Sequence, residues 1–185
     1  NYNVIIGSEA ALNATSVSTS VIIGRQAMGG AIATGDYNVV IGYAAGHAMT
    51  SAHSNTIMGL QAGQYLTGGD KNTLMGYLAG RSLTTGDGNV FIGYEAGNNT
   101  DHDGESNKLV IANTNTTTPL IEGDFSAGAL TVNAGLTAHG LRPVTDNTYT
   151  IGTAALRYTE AHIDDGFIAI NADGATTNHA GAGRF

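Results

Sequence analysis

Through the first hundred residues, short apolar runs end on glycine at a nearly constant interval. Val39-Val40-Ile41 precedes Gly42, Thr56-Ile57-Met58 precedes Gly59, Thr73-Leu74-Met75 precedes Gly76, and Val90-Phe91-Ile92 precedes Gly93. Two looser copies end on Gly7 and Gly24. The six glycines Gly7, Gly24, Gly42, Gly59, Gly76 and Gly93 are separated by 17, 18, 17, 17 and 17 residues. Such a period predicts a solenoid, in which each repeat is one coil that hides its apolar residues by stacking on its neighbours. The runs are rich in β-branched residues and bounded by Asn and Gly, so they predict short strands. They are too short for an amphipathic helix and lack its 3.6-residue period.

Aligning the copies on the glycine assigns the remaining positions. The glycine permits a bend that a Cβ would hinder. Three residues on, every copy has alanine (Ala10, Ala27, Ala45, Ala62, Ala79, Ala96), which predicts a tight interior corner. Ten residues before the glycine stands a second apolar ladder, Ala14, Ile32, Met49, Leu66 and Leu83, usually followed by Thr. Polar turns come next, as in Gly35-Asp36-Tyr37-Asn38, Gly69-Asp70-Lys71-Asn72 and Gly86-Asp87-Gly88-Asn89, built from the residues that supply positive φ and side-chain-to-backbone bonds. The expected fold is all-β, a parallel β-roll or β-solenoid with coils of about 17 residues. Six coils stacked at about 4.8 Å would span roughly 25–30 Å.

Alternate residues of a strand point to opposite faces, and here both faces are apolar. So short a coil can bury one face in its own interior; the other needs a partner. An uncovered Ile/Val stripe would be an aggregation-prone patch. The expectation is therefore a homo-oligomer whose chains pack through the outward face.

Composition narrows the function. Charged residues are 12% of the chain, about half the usual share, while 42% is apolar and in register, which is not a disordered composition. A net charge of −8 disfavours nucleic acid and anionic membrane surfaces. No apolar run approaches the ~18 residues that suggest a membrane span, so no membrane insertion is expected. Cysteine is absent, which removes disulfides and thiolate metal sites. The chain begins inside a repeat and reads as a piece of something longer.

The expected organisation is a repeat region over 1–113, a connector with short intertwined strands over 114–145, and a small β-rich module over 146–185. The period makes a last attempt at Asn107-Lys108-Leu109-Val110-Ile111, with Ile111 in the glycine's place. Short strands are expected at Leu120–Phe125, Ala129–Asn133 and Gly135–Thr137, and a helical turn is an alternative for 155–162.

The repeated Asn-Val-x-Ile-Gly-x-x-Ala-Gly with Thr-x-Gly-Asp turns resembles the β-roll repeats of phage tail fibre proteins, and is similar to the heads of trimeric autotransporter adhesins. Asn107–Asn113, Pro119–Phe125, Asp146–Gly152 and Leu156-Arg157-Tyr158 resemble the segments found downstream of such repeats in tail-fibre-like proteins. The resemblance implies a homotrimeric, virion-borne, extracellular fibre segment. It would be structural and adhesive, contacting other tail or fibre proteins and a host-surface receptor such as a glycan or outer-membrane component. Tyr158 stands where such fibres more often have Trp, and nothing here resembles the self-cleaving chaperone domain that many of them carry. A bacterial trimeric adhesin head is the alternative reading, and a polysaccharide-degrading tail spike a third.

Sites of chemistry are few. Asn99–Glu105 opens like a calcium loop, but its twelfth position is Val110 rather than a bidentate Glu. Asp36, Asp70 and Asp87 lack the Gly-Gly-x-Gly-x-Asp pattern of calcium-binding β-helices and read as turn caps. His47, His53, His102, His139, His162 and His179 never fall at paired ligand spacing, although a single axial histidine in a trimer would meet its copies. Tyr43, Tyr77 and Tyr94 come directly after the glycine and read as ladder packing before any sugar-stacking surface. No hydrolase elbow, zinc-protease motif or phosphate loop occurs, and Glu95 and Asp101 would serve a glycosidase only across a cleft. Neither catalysis nor a cofactor or metal is expected.

Overall fold

The computed structural model describes residues 2–99 and 102–134, and the backbone of 168–170 and 176–178. It divides into two compact units, Asn1–Thr137 and Ala138–Phe185. The first is an all-β solenoid. Seven strands, β1 (Val4–Ile6), β2 (Val21–Ile23), β3 (Val39–Ile41), β4 (Thr56–Met58), β5 (Thr73–Met75), β6 (Val90–Ile92) and β7 (Lys108–Ile111), stack in chain order as one parallel ladder. Register is strict: Ile5, Ile22, Val40, Ile57, Leu74, Phe91 and Val110 lie above one another. Two further strands, β8 (Ile121–Asp124) and β9 (Ala129–Val132), extend the sheet antiparallel. In the second unit β10 (Ile168–Ile170) and β11 (Thr176–Asn178) form an antiparallel pair. The expected strand at 135–137, the alternative helical turn at 155–162 and the resembling segments from Asp146 to Tyr158 lie outside the described residues.

The pivotal glycines take φ from +117° to +143°, and each sits against the backbone carbonyl at the matching position one coil on. A methyl group on Gly42, Gly59 or Gly76 would overlap the carbonyl oxygen of Gly59, Gly76 or Gly93 respectively. The coil turns immediately afterwards: the N–H of the alanine donates back to the glycine carbonyl, as from Ala62 to Gly59 at 3.3 Å. Ala27, Ala45, Ala62, Ala79 and Ala96 are buried at these corners, and Ala10, in the first coil, is partly buried.

The core is a narrow file. Strand centres from Ile22 to Phe91 face Met49, Leu66 and Leu83, with the corner alanines and Ala52 between them. Two sequence expectations are corrected here. Ile32, expected in the second apolar ladder, is 65% exposed; Ala33 is buried instead, and Thr34 rather than Ile32 bonds to Thr50. In that 18-residue coil Met28 supplies the large buried side chain. The last coil is longer still, since Leu109 pairs with Val90, nineteen residues earlier. Ala112, not Ile111, therefore stands in the glycine's place, its N–H donating to Ile92 as Gly93 does to Met75.

Candidate functional site

The strand triplets divide their side chains cleanly. Their centres are fully buried from β2 to β6, while the flanking residues form a half-exposed apolar stripe on the outward face. Its rungs are Val21 and Ile23, Val39 and Ile41, Thr56 and Met58, Thr73 and Met75, and Val90 and Ile92. Met58, Met75 and Ile92 are 36–38% exposed, a large share for apolar side chains stacked in a continuous row. Beside it runs the row Arg25, Tyr43, Leu60, Tyr77 and Tyr94, one residue past each glycine. Tyr77 and Tyr94 stack with centroids 5.0 Å apart and planes 11° apart, and the Arg25 guanidinium lies 5.7 Å from the Tyr43 ring centre. Tyr77 and Tyr94 thus pack as one ladder pair, while Tyr43 packs with Arg25, and all three remain exposed. The Glu95 carboxylate raises the Tyr94 hydroxyl above the ordinary tyrosine range.

Two polar ladders hold the coils in register. Asn38, Asn55, Asn72 and Asn89 are buried, and each side-chain oxygen accepts the backbone N–H of its counterpart one coil on, at 2.8–2.9 Å. The side-chain N–H groups of Asn38, Asn55, Asn72 and Asn89 donate to the carbonyls of Ala52, Gly69, Gly86 and Glu105. Ser20 takes the same rung in the second coil, its hydroxyl accepting from Asn38. The repeated Asn four residues before each glycine was the signal for this ladder; read only as a strand boundary, it concealed a buried network. A second row is made of hydroxyls, Thr34, Thr50, Thr67 and Thr84, each donating to a carbonyl of the next coil.

The turn aspartates do not cap their own turns. Asp36, Asp70 and Asp87 instead accept the backbone N–H groups of Ser18, His53 and Asp70 in the preceding coil, each at 2.7 Å. They tie coil to coil. The residue after each aspartate, Tyr37, Lys71 or Gly88, lies in the left-handed region at φ 59–67°, as does Ser54 after His53.

At the end of the parallel ladder Lys108 takes the asparagine's rung, and its Nζ lies 2.9 Å from Asp124 of β8. Asp124 also accepts from the Ser126 hydroxyl and from the N–H groups of Ser126 and Ala127. The Ser126 and Lys108 bonds hold its carboxyl far below the usual carboxylate range, and Asp124 in turn raises the Lys108 amine. His102 is buried, 3.0 Å from Glu105 and tilted against Phe91 with centroids 5.4 Å apart. Thr100 and Asp101 of the calcium-like opening, and His139, His162 and His179, lie outside the described residues. Among the described residues no three His, Cys, Asp or Glu side chains gather to hold a metal ion.

Comparison with family models, with curated proteins and with solved structures returns no match. Function has to be read from the ladders and from the face they present. That face offers a repeating surface whose rungs, Thr56 and Thr73 apart, are apolar.

Proposed function

We propose that the chain is a structural and adhesive segment of a phage tail fibre, assembled as a homotrimer and contributing to attachment at the host surface. The observation that carries this is the outward stripe from Val21 to Ile92, apolar on the reverse of strands whose other face is already buried. A partner for it must repeat at the coil spacing, and a copy of the chain does so by construction. Interlocked coils would give the fibre its durability through slow unfolding rather than through one large core. Three copies would multiply a weak receptor contact into avidity. The sequence resemblance to tail-fibre β-rolls supports the biological setting.

The test is sedimentation of the purified chain beside Met58→Lys/Met75→Lys, and then binding to host cell envelopes. The expected result is three copies for the parent, dissociation for the double variant, and envelope binding that falls with it. A parent chain that sediments as a single copy overturns the assembly, and a trimer indifferent to envelopes overturns the adhesive role.

A further inference from the structure

One inter-coil row is chemically uneven. At the turn position the backbone N–H of each coil donates to the side chain one coil on: Ser18 to Asp36, Asp36 to His53, His53 to Asp70, Asp70 to Asp87, and Asp87 to Ser106. Four of these acceptors are oxygens that retain a lone pair near neutrality. The remaining one is Nδ1 of His53, 3.0 Å from the Asp36 nitrogen. An imidazole nitrogen accepts only while it carries no proton, so this rung requires the neutral ring with its hydrogen on Nε2. His53 is half-buried, so the ring is open to protons from solvent.

We propose that His53 is a pH-sensitive rung of the solenoid, and that its protonation releases the Asp36 turn and loosens the junction between the third and fourth coils. With both nitrogens protonated, Nδ1–H would face the Asp36 N–H, donor against donor. The charged groups around the ring are few. On the coil before stands Asp36, whose carboxylate is engaged with the Ser18 N–H. On the coil after stand Asp70, whose carboxylate accepts the His53 N–H, and Lys71, whose N–H donates to the His53 carbonyl. Neither carboxylate, each already engaged with a backbone N–H, replaces the lost acceptor for the Asp36 N–H. Histidine is the side chain that makes this change between about pH 5 and 8.

The experiment is residue-level amide exchange on the full chain at about pH 7.5 and about pH 5.5, corrected for intrinsic rates, with nitrogen shifts reporting the His53 tautomer. Protection at Asp36 should fall roughly three- to tenfold on acidification, the equivalent of one ordinary hydrogen bond. Protection at His53 and Asp70, whose acceptors are carboxylates, should hold. His53→Asp and His53→Asn restore an oxygen acceptor and should abolish the pH dependence at Asp36. Unchanged protection at Asp36, an equal fall in the variants, or a proton on Nδ1 at the higher pH would each overturn the proposal.

Discussion

The side-chain oxygen of Asn55 receives two hydrogen bonds from Asn72, one from its backbone N–H at 2.8 Å and one from its amide at 3.1 Å. Both residues are 1% exposed, so water does not substitute for either partner. Asn55→Ala leaves the Asn72 N–H and the Gly69 carbonyl short of partners and should cost about 2–4 kcal/mol in urea unfolding. Asn55→Ser should cost less, because the Ser20 hydroxyl already serves the same rung between the second and third coils.

Glycine substitutions should separate into two classes. Gly76→Ala at φ +139° drives a methyl into the Gly93 carbonyl and should cost at least about 3 kcal/mol or prevent folding. Gly88→Ala, at φ +67° with only the Asn107 side chain nearby, should cost about 1 kcal/mol. The converse change, Lys71→Gly at φ 59°, relieves a left-handed non-glycine and should stabilise by up to about 1 kcal/mol. Thermal unfolding of the three variants gives the ranking.

The hairpin of β8 and β9 should be acid-sensitive through Asp124. Its carboxyl is depressed in the folded state, so its contribution is present above the unfolded carboxylate range and declines as pH falls below about 4 toward the folded value. Asp124→Asn should weaken the hairpin at neutral pH and flatten that decline, read as amide protection over 121–132 between neutral pH and about pH 3.

Tyr94 offers an optical check on the exposed row. Because Glu95 is the main cause of its raised value, ultraviolet titration of Glu95→Gln should show Tyr94 ionising at lower pH than in the parent. Tyr77→Ala should also lower it slightly, since Tyr77 is a smaller cause in the same direction.

The repeat was legible because the strand triplets, glycines and alanines each carry one job that only a few side chains can do. A Cβ at Gly59 meets backbone, and a larger residue at Ala62 would enter a filled core. Coil length was less legible. Counting back from Gly42 selects Ile32 and puts Ala33 in the threonine's place, but Thr34 makes the bond to Thr50 that Thr50 makes to Thr67, and only the inter-coil bonds reveal it. Likewise Ile111 falls one residue short of the glycine's place, because hydropathy cannot distinguish an eighteen- from a nineteen-residue coil when Val110 and Ile111 are both apolar. The asparagine, threonine and His53 rows were present as letters but silent as pattern, since what each bonds to depends on the coil above.

Nearly all the cross-links of the solenoid run from one coil to the next, with little bracing inside a coil beyond its corners. A pull along the stacking direction therefore loads the rungs one after another, not together. Stretched in a force probe, a single copy should lengthen in even steps of about 50–60 Å as successive seventeen-residue coils peel away. The stack would act as a tether that yields by measured increments before it snaps.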